Sequence, residues 1–277
     1  ASGATLGLGT TTITLTATDG SGNTATCTVN QTVVDNTAPT ITVCASTPSN
    51  IPANNLCQGT APNLTGQVTA TDNCTSSPTI TQSPTAGAAL GLGTTTITLT
   101  ATDGSGNTST CTVNQTVIDN TAPVITVCAS TPSNIPATGS CTGIAPDLTG
   151  SVTAVDNCTS SPTITQSPAS GATLGLGTTT ITLTATDGSG NTATCTVNQT
   201  VIDNTPPTIT VCASTPSNIP ANGSCTGIAP NLTGAITATD NCTSSPTITQ
   251  SPASGATLGL GTTTITLTAT DGSGNTA

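Results

Sequence analysis

The 277-residue chain carries eleven Asp and no Lys, Arg, His, Glu, Met, Phe, Tyr or Trp, so its formal net charge of -11 has no internal counter-charge. Acid-base catalysis draws mostly on His, Glu, Asp, Lys, Tyr and Cys, of which only Asp and Cys remain, and this points to a non-enzymatic protein. Without cationic side chains nothing neutralises phosphate or anionic lipid, which excludes the usual electrostatic routes to nucleic acid and to membrane surfaces, and no apolar run reaches the roughly 18 residues of a membrane span.

Leu6 opens a Leu-Gly-Leu-Gly-Thr-Thr-Thr phrase that returns at Leu90, Leu174 and Leu258, a period of 84 residues, and residues 253–277 repeat residues 1–25 letter for letter. Within the repeat, Thr12 to Thr18 alternates strictly, with Ile13, Leu15 and Ala17 on one face and Thr on the other, as a half-buried strand does. The turn Asp19-Gly20-Ser21-Gly22-Asn23 leads to a second alternating run that places Ala25, Cys27, Val29 and Val33 on one face, so the two runs predict a hairpin. Shorter runs at Ile41 to Cys44, Leu64 to Ala70 and Thr79 to Gln82 supply further strands between Pro and Gly, six or seven per repeat, and no segment has a helical period.

The pattern predicts an all-β protein: tandem Ig-like antiparallel β-sandwich domains, one per 84-residue repeat, as beads on a string. Boundaries are expected at Asp35-Asn36-Thr37-Ala38-Pro39 and at its equivalents beginning at Asp119 and Asp203, short linkers stiffened by proline. Residues 1–36 are then the C-terminal part of a repeat, 37–120 and 121–204 are complete repeats, and 205–277 is a repeat lacking its last strand. Twelve Cys with no His and no CxxC indicate disulfides rather than zinc, and hence an oxidising compartment.

Three phrases together resemble the hyalin repeat, an Ig-like module of extracellular and adhesive proteins. They are the Asp-Asn-Thr-Ala-Pro opening followed by a Cys, the segment Ala70-Thr71-Asp72-Asn73-Cys74, and Gly93 through Cys111. The resemblance covers the whole chain and implies the sandwich fold and an adhesive or structural setting at the cell surface or outside the cell. Four Cys per repeat allow three pairings. The pairing expected is Cys44–Cys111, joining the first strand to the last, with Cys57–Cys74 closing a shorter loop. The equivalents are Cys128–Cys195, Cys141–Cys158 and Cys225–Cys242, and Cys27 and Cys212 then need partners elsewhere. A rival scheme pairs Cys27 with Cys44 and so on along the chain. It ranks lower because residues 27 to 44 cross an extended linker, whereas bridged Cα atoms lie within about 7 Å.

In an Ig-like sandwich the incoming linker meets the loops of one end of the domain. This gathers Asp35, Asn36, Asp72, Asn73, Asp103 and Asn107, then Asp119, Asp156, Asp187 and Asn191, then Asp203, Asp240, Asp271 and Asn275. Hard oxygen donors with no cation to pair them suit Ca²⁺, which would stiffen the array. The competing reading is that these residues are ordinary turn formers. The Thr rows raise ice binding as a lesser alternative to a plain solubilising β face. Asn30-Gln31-Thr32, Asn63-Leu64-Thr65 and Asn114-Gln115-Thr116 are glycan acceptor sequons, which makes glycans candidate partners. The function expected is the repeating shaft of an extracellular or cell-surface filament, protease-resistant for want of Lys, Arg and aromatic residues. Its partners are copies of itself or neighbouring repeats in a polymer, and the alternative is an adhesin stalk or binding module.

Overall fold

Thr at alternate positions with Ile, Leu or Ala between them is a composition that a pleated strand sorts onto two faces. In the computed structural model, which describes residues 3–277, this produces β1 (Gly9–Thr18) and β2 (Thr24–Val33), paired antiparallel from Gly9 opposite Val33 to Thr18 opposite Thr24. Asp19 sets the turn. Its Oδ1 accepts the backbone N–H groups of Ser21 and Asn23, and its Oδ2 accepts the Asn23 side-chain amide.

The chain forms two compact units that divide after Thr121. The first continues through β3 (Thr40–Val43), β4 (Ile51–Pro52), β5 (Gln58–Thr60), β6 (Thr69–Thr71), β7 (Thr79–Ser83), β8 (Ala89–Gly91), β9 (Gly93–Thr102) and β10 (Thr108–Ile118). One sheet has the order β4-β10-β9-β7, with β4 parallel to β10, and the pairs β3–β6 and β5–β8 complete the Ig-like sandwich. Ile97, Leu99 and Val113 from the sheet pack with Ala45 and Leu64, and the Cys44–Cys111 bridge lies against them. A smaller cluster of Ala61, Leu90 and Val117 fills the other end. There Gly59 makes room for β10: a Cβ on it would lie 2.7 Å from Cγ2 of Val117, so a side chain would have to shift.

The second unit repeats this plan. Its strands are β11 (Val124–Val127), β12 (Ile135–Pro136), β13 (Thr142–Ile144), β14 (Thr153–Val155), β15 (Thr163–Ser167), β16 (Thr173–Gly175), β17 (Gly177–Thr186) and β18 (Thr192–Ile202). They are followed by β19 (Thr208–Val211), β20 (Gly227–Ile228), β21 (Thr237–Thr239), β22 (Thr247–Ser251), β23 (Thr257–Leu258) and β24 (Thr266–Thr270). The helical pieces among the described residues are three-residue 3-10 turns, and no helix is long and apolar enough to cross a membrane.

Half-buried and buried amides replace some of the missing core volume with fixed hydrogen bonds. Gln82 accepts the N–H of Leu64 on its Oε1 and donates its Nε2 to the carbonyls of Pro62 and Pro84, which pins the crossing loop to β7. Gln115, fully buried in β10, donates to the Ser49 carbonyl at 2.9 Å.

The strand count and one strand assignment differ from the sequence reading. Residues 40–118 hold eight strands rather than six or seven, because β4, β5 and β8 are two- and three-residue pieces. The run from Leu64 begins as a 3-10 turn at Thr65–Gln67, since Asn63 Oδ1 takes both the N–H and the hydroxyl of Thr65 and turns the backbone before β6.

Cys44–Cys111 and Cys128–Cys195 form as expected, each with Cα atoms 6.2 Å apart, whereas the shorter loops do not close. Cys57 is disulfide-bonded but not to Cys74, which is free, and Cys225 is free as well. Cys141 pairs with Cys242, not Cys158, and Cys242 is thereby unavailable to Cys225. The reason is position within the sandwich. Cys57 sits in the tight turn before β5, at the end where Ala53 N–H bonds the Ile118 carbonyl, whereas Cys74 follows β6 at the opposite end, where Thr75 Oγ1 accepts the Gly104 N–H of the β9–β10 turn.

Candidate metal centre

Each acidic residue is placed by a short local device. Asp103 closes the β9–β10 turn: its Oδ1 accepts the N–H groups of Ser105 and Asn107, and its Oδ2 accepts the Asn107 amide. Asp72 caps the loop after β6, its Oδ2 accepting Cys74 N at 2.9 Å and Thr75 N at 2.8 Å. Asp35, in the incoming linker, accepts Thr37 N on Oδ1. Two longer contacts join the pieces: Gly104 N donates to Thr75 Oγ1 at 2.8 Å, and Asn107 Nδ2 donates to the Asp35 carbonyl at 3.0 Å.

The result is that Asp35, Asp72 and Asp103 each bring a carboxylate oxygen within 4.8 Å of the others. Asp203, Asp240 and Asp271 do the same in the second unit. Asp35, Asp103, Asp203 and Asp271 are buried. Asp35 Oδ2, Asp72 Oδ1, Asp203 Oδ2 and Asp240 Oδ1 are enclosed and have no hydrogen-bond partner. Buried carboxylate oxygens without partners are costly, and this chain has no basic side chain to compensate them. Oxygen-only donors carrying uncompensated charge fit Ca²⁺, and turn formation accounts for the hydrogen-bonded oxygens but not for these.

The remaining predicted residues fall as follows. Asp119 is buried and accepts Thr121 N at 3.0 Å, repeating the contacts of Asp35 with Thr37 and of Asp203 with Thr205. Asp156 accepts Cys158 N and Thr159 N, and Asp187 accepts Ser189 N, Asn191 N and the Asn191 amide. Asn275 stands as Asn107 does, donating to Asp271 Oδ2 and the Asp203 carbonyl. Asn36 is exposed, and Asn73 donates to Cys74 Sγ.

Burial pushes the Asp103 carboxyl up, but the Asn107 side chain together with the backbone N–H groups of Asn107, Ser105 and Gly106 outweighs it and leaves the group below its ordinary value. The Cys74 thiol moves the other way, raised first by burial and then by the charges of Asp35 and Asp72 beside it.

Within the second unit the acidic group adjoins a covalent staple that sequence reasoning missed. Cys141, in the turn before β13, joins Cys242, two residues after Asp240, with Cα atoms 4.9 Å apart, and Asn241 Nδ2 reaches the Thr138 carbonyl at 3.3 Å. The linker from Asp203 to Pro207, the staple and the Asn275 amide thus tie one repeat to the next. The Thr hydroxyls of Thr75, Thr159 and Thr243, each 2.8 Å from a Gly N–H of the facing turn, were also unforeseen.

The fold and its bridges define a disulfide-stapled, tandem β-sandwich module of the extracellular or cell-surface kind. The chain belongs to the HYR domain family, whose model matches residues 1–33, 34–117, 118–201 and 202–277. A search of curated proteins finds no sequence match. Among solved structures, the chain is similar to a protocadherin gammaB7 EC3-6 cis-dimer structure at 16% identity, covering 97% of this chain and 83% of that one with a TM-score of 0.34. It is likewise similar to mouse cadherin-23 EC22-24 (15% identity, 85% and 94% covered, TM-score 0.35) and to Sidekick-1 immunoglobulin domains 1-5 (14%, 87% and 55%, 0.32).

Proposed function

We propose that this adhesion-type extracellular module works mechanically, as the repeating shaft of a surface filament or fibre, with beads running from linker to linker at 37–120 and 121–204. Each junction is stiffened by Ca²⁺ held among Asp35, Asp72 and Asp103 and among their equivalents, and is stapled by a bridge of the Cys141–Cys242 type. The observation that carries the reading is the enclosed, partnerless Asp203 Oδ2 and Asp240 Oδ1 beside that staple. Bound Ca²⁺ would supply the missing positive charge and hold linker, loop and turn to one centre, leaving the junction little freedom to bend. Copies of the same repeat, end to end, are the partners the reading requires.

Calorimetric titration with Ca²⁺, paired with small-angle scattering in Ca²⁺ and in chelator, tests the proposal. The expected result is saturable uptake and a longer, stiffer particle with Ca²⁺, with uptake at the third repeat lost in Asp240→Asn. No heat and no change in scattering would reduce the acidic groups to turn formers.

A further inference from the structure

Two bridges of the second unit close a covalent ring around the linker. Cys128–Cys195 joins the end of β11 to β18, and Cys141–Cys242 joins that repeat to the next, spanning a sequence separation of 101 with one bond. From the Cys128–Cys195 bridge two branches therefore lead to Cys242. The short branch runs the 13 residues from Cys128 to Cys141 and crosses the staple. The long branch runs the 47 residues from Cys195 to Cys242, through the linker Asp203 to Pro207.

The difference in length decides which branch can bear tension. A chain reaches at most about 3.3–3.6 Å per residue, so the short branch with its bridge is taut at about 50 Å, where the long one could still reach about 160 Å. Two branches in parallel share a load only while both are taut. Once the noncovalent contacts between them give way, the short branch carries the tension and the linker hangs slack. The remainder of the second repeat, residues 142–194, connects Cys141 to Cys195 by a route longer again and is unloaded for the same reason.

The short branch has little slack of its own. Residues 128–141 contain no helix, and Pro132 and Pro136 fix φ at two points along them. The segment is also laid along β18. The Ser133 carbonyl accepts Gln199 Nε2 at 2.9 Å, Ile135 and Pro136 pair in parallel with Val201 and Ile202, and Ala137 N–H donates to the Ile202 carbonyl at 2.7 Å. Gln199 is fully buried, and Ala129 packs with Ile181 and Leu183 in the core. The strand that leaves for the linker and the segment that bypasses it thus start from one bridge and run side by side in the same direction. Asp203 and Asp240 lie in the long branch.

We propose that these bridges form a load path around the linker: tension passes from one repeat to the next through the Cys128–Cys141 segment and the Cys141–Cys242 staple, which caps extension and keeps Asp203 and Asp240 unloaded. This rests on the reading above only in taking the array as load-bearing; it does not need Ca²⁺. The two devices divide the work, since a cation held at the junction resists bending and the bypass resists stretching.

The test pulls the oxidised 277-residue chain between terminal tags by single-molecule force spectroscopy in chelator, at forces that unfold the sandwiches and leave S–S bonds whole. Its full extension is compared with that of a Cys141→Ser, Cys242→Ser chain, with Cys128–Cys195 verified in both by peptide mapping. The double variant must load the long branch, so it should extend further by the difference between the branches, about 110–120 Å. About ten Gly and Ser residues inserted between Thr205 and Pro206 should leave the parent's full extension unchanged and lengthen the double variant by about 35 Å. A parent chain as extensible as the double variant, or one that lengthens with the inserted linker, overturns the proposal. Ca²⁺ uptake is read by calorimetry on the unpulled chain, so capped extension without uptake sinks the metal alone, and uptake with uncapped extension sinks the load path alone.

Discussion

Residues 9–33 and 93–117 differ at one position, Ala25 against Ser109, yet they live in different surroundings. Both form the same hairpin in the same register, closed by the same Asp-centred turn. In β9 and β10, Leu99 is 0% exposed and Val113 is 5%; in β1 and β2 their twins Leu15 and Val29 are 54% and 53% exposed. The hairpin is thus a local product of alternation and turn chemistry, and its apolar face becomes a core only where β3 and the loop carrying Leu64 cover it. The energetic weight of a residue here follows from the cover, not from the letters.

The largest expected break in the comparison is at the leucines. Leu99→Ala removes a fully covered side chain and should cost about 2–5 kcal/mol, whereas Leu15→Ala should stay within about 0.5 kcal/mol. Denaturant unfolding followed by far-ultraviolet circular dichroism measures both, and equal shifts would show that the two hairpins are covered alike. A smaller effect is expected at Gly59 and at its counterpart Gly227. A Cβ on Gly59 meets Val117 Cγ2 at 2.7 Å and Ile51 Cγ2 at 3.1 Å, so Gly59→Ala should cost about 1–3 kcal/mol. At Gly227 the nearest atom is Ile219 Cγ2 at 3.0 Å and the next is at 3.6 Å, so Gly227→Ala should cost about 1 kcal/mol or less in the same unfolding assay.

What could be read in advance follows the same division between local and covered. The alternation of Thr12 to Thr18 and the Asp19 turn announce the hairpin, and the long-range bridge Cys44–Cys111 follows from first and last strands facing one another. The acidic residues were legible as a set because linker and turns of a sandwich meet at one end. Their enclosed oxygens were not, since burial is a property of the assembled pieces. The staple Cys141–Cys242 was hidden for a different reason: in a near-identical repeat, a cysteine's partner in its own repeat and the copy 84 residues on have the same immediate neighbours, Asp-Asn before Cys158 and Cys242 and Thr-Ser-Ser-Pro after them. Only the distance between the two ends of one sandwich chooses between them. Likewise the pull of Asn63 on Thr65, which replaces the start of a strand by a 3-10 turn, is written in two ordinary polar letters.

The smallest effect, and the sharpest test of local against assembled, is at the two turn aspartates. Asp19 is held below its ordinary carboxyl range chiefly by the Asn23 side chain, then by the Asn23 N–H, with burial opposing and the Ser21 and Gly22 N–H groups adding. A carboxylate lowered on folding contributes stability that is present above its unfolded value of about 3.9 and is lost as the pH falls through the lower folded value. Amide hydrogen exchange at Ser21 and Asn23 should therefore accelerate as the pH falls below about 4, relative to the intrinsic rate, and Asp19→Asn should abolish that pH dependence. Asp103 has the same turn but shares its enclosure with Asp35 and Asp72, so at neutral pH Ca²⁺ should slow exchange at Ser105 and Asn107 and leave Ser21 and Asn23 unchanged. Equal protection of both turns by Ca²⁺ would mean that the turn itself binds the ion, and that the linker and the β6 loop add nothing to it.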